Sequence, residues 1–271
     1  MARPLLTFFA LTYAVTWTCW AAAGAVSGGR LPGDPLPALV AGPLFLLGTF
    51  APGLVALALT DRTEGRAATT TLFGRIFRGQ VDLRWYLFAL GYMPAIKLSA
   101  ALVHRFATGQ WPRFGDTPWY VMAAAISVSM WVQAGEEVGW RGYALPRLAA
   151  RVGLGPASII LGIIWAAWHL PLFFIPAGDT LGQSFPLYML QVIPVSVTMA
   201  WLYWRTNGSL LLVMLLHAAI NNTKDIVPSG VPGATNPAAL STSLVAWLAV
   251  ALMWIPAAYF LVQMRARREC P

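Results

Sequence analysis

Long apolar stretches, broken by short segments that carry almost all of the arginine, recur along the whole of this 271-residue chain. Only 10% of the residues are charged and 58% are hydrophobic, whereas an average soluble domain is about 25% charged. Roughly 20 apolar residues suffice for a helix to cross a bilayer, and a helix satisfies its own backbone polar groups there. The sequence therefore predicts an all-α membrane protein, a polytopic bundle of about eight transmembrane helices. They are expected near 5–26, 37–60, 85–103, 119–147, 156–175, 185–204, 208–222 and 243–262. The fourth stretch is too long for a simple crossing, so its C-terminal part is expected to emerge or lie near the surface. The seventh is short, which suits a helix packed inside the bundle. No repeat or second domain interrupts the pattern, so 1–271 is expected to form a single integral membrane domain.

The net charge of +8 does not indicate nucleic acid, because the arginines sit in short loops between apolar spans, as the positive-inside rule requires. With an N-terminus inside, twelve arginines, from Arg3 to Arg268, fall on the inner side; only Arg30, Arg105, Arg113 and Lys224 fall outside. A multi-pass protein of the cell membrane with both termini cytoplasmic is expected. In the inner segment 61–84, Leu72, Phe73, Ile76 and Phe77 alternate with Arg75 and Arg78 at helical spacing. This predicts either a short amphipathic helix on the anionic leaflet or a plain basic loop. The Pro-, Gly-, Ser- and Thr-rich stretch 223–242 reads as an outer loop. Arg3, the apolar run after it and the small residues Ala21 to Ala25 resemble a signal peptide, but 5–29 is long enough for a retained first helix. Cys19 and Cys270 give neither a disulfide framework nor metal-ligand spacing.

Against this apolar background five residues stand out: Glu136, Glu137, Arg141, His169 and His217. Ionisable groups inside a membrane are costly and mark functional sites by default. Glu137 and Arg141 are spaced i, i+4 and share a face, where an ion pair would neutralise both. Glu136 points about 100° away. It has no partner in its own helix, and an unpaired carboxylate there suits a general base. Gly135 and Gly139 form a small-xxx-small pair that lets a neighbouring helix approach. His169 lies just before Pro171, which is expected to kink its helix. His217 and Asn221 are again i, i+4, so one stripe presents an imidazole and an amide, both able to donate to a developing oxyanion.

Depth agrees with a common site. At 1.5 Å rise per residue, Glu136 lies about 16 Å from Arg147, His169 about 20 Å from Pro156, and His217 roughly 15 Å from Asn207. Taken singly, each feature has a bland explanation: an interhelical hydrogen bond for His169, a structural clamp for Glu137 with Arg141, a helix cap for Asn221 with Asn222. A purely structural bundle would gain little from burying all of them.

These residues resemble the CPBP family (CAAX-protease and bacteriocin-processing, also called Abi) of intramembrane proteases. Its pattern is matched by Glu136-Glu137-x-x-x-Arg141, Trp165-x-x-x-His169 and His217-x-x-x-Asn221, across a core at 119–222. Trp165 stands where the family usually has Phe; the aromatic is kept, so packing beneath the histidine is expected. The resemblance implies an eight-span fold with a cavity open to the cytoplasm. It also implies peptide-bond hydrolysis near the C-terminal end of a CAAX-like lipidated protein or a peptide precursor. Glu136 and His169 would activate water, His217 and Asn221 would stabilise the oxyanion, and Glu137 and Arg141 would hold the fourth helix.

Two histidines and a glutamate are enough for a three-ligand zinc site, through Glu136, His169 and His217. The chain lacks a His-Glu-x-x-His helix, so a metal-free glutamate mechanism is weighed beside Zn2+. Two other functions fit the composition. A non-catalytic immunity or scaffold protein of the same fold would not need Glu136 or His169. A proton-coupled transporter would be expected to show two related halves, which this sequence lacks.

Overall fold

The computed structural model describes residues 2–28, 36–175, 180, 183–229, 238 and 243–265, and all regular structure among them is helical. The long helices are α1 (Ala2–Gly28), α2 (Leu36–Glu64), α4 (Leu83–Thr108), α9 (Phe185–Arg205) and α11 (Leu244–Met264). By length and hydropathy these five can cross a membrane. The remaining predicted spans are shorter or interrupted: α5 (Trp119–Val132), α6 (Ala134–Glu137), α7 (Leu145–Val152), α8 (Leu154–Trp168) and α10 (Leu210–Thr223). These shorter pieces carry all three motifs. The polytopic helical bundle expected from the sequence is present, with five helices among the described residues long and apolar enough to cross a membrane and α8 a shorter apolar helix. Helix α10 is buried along most of its length, so it need not match the hydrocarbon thickness itself.

Two ends of the bundle are defined by side-chain contacts. At the end that holds both chain termini, Glu64 pairs with Arg147, Arg78 donates to the Asn207 carbonyl, and Phe8 of α1 packs 4.9 Å from Tyr143. At the opposite end, the Gly115 amide donates to Ile226 (3.1 Å), Lys97 to the Val227 carbonyl (3.1 Å), and Ser243 to the Ser229 carbonyl (2.8 Å). The first helix belongs to the bundle, since Leu5, Phe8 and Trp20 are core residues.

The fourth stretch departs most from expectation. After α6 the backbone widens into a π-helical turn, Val138–Ala144, closed by an i, i+5 bond from the Leu145 amide to the Trp140 carbonyl. All seven residues of this turn are buried, as are Leu145, Leu148 and Ala149 of α7. The segment expected to emerge or lie near the surface is thus buried over Val138–Leu145 and reaches the surface at Ala150, Arg151 and Val152. Its hydrophobic aromatics Trp140 and Tyr143 need partners, and they find them in Phe8, Phe9 and Trp168. Wide π turns recur at functional sites.

Pro171 does not kink a continuing helix. Helix α8 stops at Trp168, His169 caps it, and Leu170–Phe173 form a 3-10 turn. A proline lacks the N–H that a further turn would require. In the 61–84 segment, α3 (Arg66–Gly74) runs into a 3-10 turn. Leu72 and Ile76 are buried against the bundle, while Phe73 and Phe77 face outward. That is an amphipathic helix docked on protein along one edge. Most of the expected outer loop at 223–242, and Cys270, lie outside the described residues.

Candidate active site

The short α6 helix delivers two adjacent carboxylates to different neighbours. Glu137 is fully buried, and both its oxygens accept from Arg141 Nη1, at 3.0 and 3.1 Å. The i, i+4 pairing read from the sequence is therefore formed. Glu137 Oε1 also accepts from His217 Nδ1 at 2.7 Å, a link from α6 to α10 that spacing within one helix could not reveal. A carboxylate paired with a guanidinium can only accept, so Nδ1 of His217 carries the proton. The rest of the Arg141 guanidinium lies over the Trp165 ring, 4.2 Å from its centroid.

Glu136 has its partner on α8. The Trp165 indole N–H donates to Glu136 Oε2 at 2.8 Å. Trp165 also meets His169 and His217 edge-on, with ring centroids 5.6 and 5.2 Å apart. The expected packing beneath the histidine is present, and the indole adds a donor that phenylalanine could not supply. Nδ1 of His169 lies 2.8 Å from the Trp165 carbonyl. A carbonyl accepts, so this ring too is protonated at Nδ1 and directs Nε2 away from its own helix.

Close backbone packing makes this arrangement possible. A Cβ on Gly139 would stand 2.5 Å from the Pro52 carbonyl carbon, and one on Gly135 would stand 2.9 Å from the Phe50 Cα. The small-xxx-small pair thus seats α2 directly against the acid-bearing segment.

Glu136, Trp165, His169, His217 and Asn221 all line one cavity of about 370 Å3. Its walls are apolar at Val132, Leu172, Val192 and Ile220, and amides enter from Gln133, Gln183 and Gln191. The glutamines were missed in the sequence, although Gln133 and Gln191 are themselves polar groups within apolar stretches. Asn222 does not cap α10; its amide donates to Ser129 Oγ (2.8 Å) and ties α10 to α5.

Among the described residues, no three His, Cys, Asp or Glu side chains converge as a metal ion would require. Glu136, His169 and His217 share the cavity without forming the expected ligand set, so no step below is routed through zinc.

Among the residues lining the cavity, Asn221 is exposed and Gln183 and Lys224 are partly so.

The described residues form an all-helical bundle with helices able to cross a membrane, and acid, imidazole and amide groups line one of its cavities. Residues 117–223 match the profile of the family described as "Rce1-like: Type II CAAX prenyl endopeptidase Rce1-like". The chain is also 23% identical over 231 residues to the CAAX prenyl protease 2 of Methanococcus maripaludis, covering 81% of this chain and 83% of that protein. Both likenesses support a protease of the CPBP family.

Proposed function

We propose that this protein is an intramembrane endopeptidase in which Glu136 and His169 activate water, while His217 and Asn221 stabilise the oxyanion. One observation carries this assignment: four groups from three separate chain segments line the same cavity, next to a buried Glu137–Arg141 pair that holds one of them.

Water held between the Glu136 carboxylate and His169 Nε2 attacks the scissile carbonyl carbon, and Glu136 takes its proton. The carbonyl oxygen becomes an oxyanion, which the Asn221 amide and His217 Nε2–H receive. With Nδ1 already donating to Glu137, His217 offers an Nε2–H only as the imidazolium, and Glu137 is its counter-ion. The tetrahedral intermediate then collapses, the C–N bond breaks, and the proton held by Glu136 passes to the leaving amine. Trp165 positions the base and packs between the two imidazoles.

The substrate is a membrane-associated lipidated protein or peptide precursor cut near its C-terminal end, read through apolar walls and the glutamine amides. The whole chain, 1–271, acts as one protease domain whose motif-bearing core spans 119–222. The protein sits in the cell membrane with both termini cytoplasmic, on the strength of the arginine bias.

Cleavage of quenched fluorescent peptides, with and without a farnesyl group, tests the assignment. Purified wild type is expected to cleave at least one, and folded Glu136→Ala none. A chelator arm reports on metal dependence. Equal cleavage by wild type and Glu136→Ala would remove Glu136 from the chemistry.

A further inference from the structure

Gln133 is a buried carboxamide to which the fold gives no partner. It stands just before α6 in an apolar stretch and is 6% exposed. Its backbone is in use: the amide donates to the Ser129 carbonyl at 3.1 Å, and its carbonyl accepts from the Glu136 and Glu137 amides at 3.1 and 2.8 Å. Among the described residues its side chain forms no hydrogen bond. Its polar atoms are nevertheless not sealed in the core; they reach the cavity that Gln133 lines together with Glu136, His169 and Asn221.

Other amides in the bundle are bound to protein. Asn222 donates to Ser129 Oγ and to the Ala218 carbonyl, both at 2.8 Å, and Gln263 accepts from the Trp201 indole at 2.6 Å. Those two brace helices. A buried polar group without a partner is destabilising, and a polar residue kept within an apolar segment marks a functional position. An amide held in this way suits a ligand that brings the missing partner.

We propose that Gln133 binds the main chain of the substrate, one peptide unit from the scissile bond, and that this protein therefore selects segments presented in extended form. The inference rests on the proposed function in taking Glu136 as the base of this cavity.

Geometry sets which part of the substrate Gln133 meets. The two bonds to its carbonyl make one helical turn from Gln133 to Glu136 and Glu137. Residues three apart on such a turn are neighbours, with Cβ atoms about 5–6 Å apart. An extended chain advances about 3.3 Å per residue. With the scissile carbonyl at the water held by Glu136, an adjoining peptide unit comes within reach of the Gln133 side chain.

Chemistry sets what is recognised. A carboxamide offers both a donor and an acceptor, the complement of a peptide unit, and no charge that would demand a particular side chain. In a helical segment the backbone groups already bond to one another, so only an extended or unwound segment can answer Gln133. Gln133 is thus a positioning and specificity residue, and the bond-breaking chemistry stays with Glu136 and His169.

The test pairs a change in the protein with a change in the substrate. The probe is the quenched fluorescent peptide that purified wild type cleaves best, remade with an ester in place of the amide at each of the two units flanking the scissile bond. An ester lacks the N–H and is a weaker acceptor. Wild type is expected to lose roughly tenfold in kcat/KM on one of the two esters, the scale of one hydrogen bond. Gln133→Leu is expected to lose a similar factor on the all-amide peptide, mainly through KM, and to be indifferent to that ester. Additive losses overturn the proposal, and so does cleavage by Gln133→Leu at the wild-type kcat/KM. Gln133→Met, closer in length, gives the same comparison if the leucine variant folds poorly.

Two further readouts separate this role from others. With no protein partner to lose, Gln133→Leu and Gln133→Met are expected to keep or raise the unfolding midpoint in detergent. A midpoint lowered in both would make the amide structural and overturn the proposal. Glu136→Ala is the control on the protease reading. If it cleaves like wild type, the proposed function fails; if it is inactive while the ester losses are additive, only the role of Gln133 fails.

Discussion

His217 Nδ1 lies 2.7 Å from Glu137 Oε1, on the carboxylate that also receives Arg141. The Glu137–Arg141 pair therefore orients a candidate catalytic ring besides bracing its own segment. Orienting partners of an imidazole are typically worth about 10–100-fold in activity. Glu137→Ala is expected to lose activity on that scale. It also leaves Arg141 as an unpaired buried charge, costing about 3–5 kcal/mol. Glu137→Leu with Arg141→Met removes both charges; it is expected to recover thermal stability in detergent without recovering kcat. Recovery of kcat in that double variant would show that Glu137 does not act through His217.

Trp165→Phe keeps the aromatic packing and deletes the indole donor to Glu136 (2.8 Å). A hydrogen bond to a charged group contributes about 1.5–3 kcal/mol. The expected outcome is a kcat lowered by roughly tenfold or more, with KM and the unfolding midpoint little changed. Because this position departs from the family pattern, the dependence is expected to be particular to this chain. An unchanged kcat would reduce Trp165 to a packing residue.

At Gly139, the added methyl of Gly139→Ala would meet the backbone of Pro52 at 2.5 Å. Backbone cannot rotate aside as a side chain does, so α2 must shift. Overpacking of this kind costs about 1–3 kcal/mol. A lowered unfolding midpoint and reduced activity are expected together, since the moved segment carries Glu136. Gly91, with open space around its Cβ position, is the control: Gly91→Ala is expected to leave both unchanged.

Lys97 is buried within α4 and donates to the Val227 carbonyl and to Ser229 Oγ. It anchors the chain just after Lys224, which lines the cavity. Lys97→Met is expected to speed hydrogen exchange across 224–229 and to raise KM more than it lowers kcat. Unchanged exchange there would mean that other contacts hold this segment.

What the sequence made legible, and what it did not, follows from the range of each interaction. Glu137 with Arg141 was readable because both lie within one helical turn, and the apolar stretches were readable from their length. The Glu137–His217 and Glu136–Trp165 bonds join residues 80 and 29 positions apart, and no local periodicity encodes them. The π turn at Val138–Ala144 arises from packing against α1 and α2, so the fourth stretch looked merely too long. Pro171 marked a change of direction, but whether a helix kinks or ends there depends on the 3-10 turn that follows.

The most direct test of Glu136 and His169 acting on one water is a double-mutant cycle on single-turnover peptide cleavage. Wild type, Glu136→Gln, His169→Ala and the combined variant are compared, each confirmed as folded. Residues that act as a unit are strongly non-additive, so the combined variant is expected to be no slower than the slower single variant. Fully additive losses, or either single variant cleaving at the wild-type rate, would contradict a shared role in activating water.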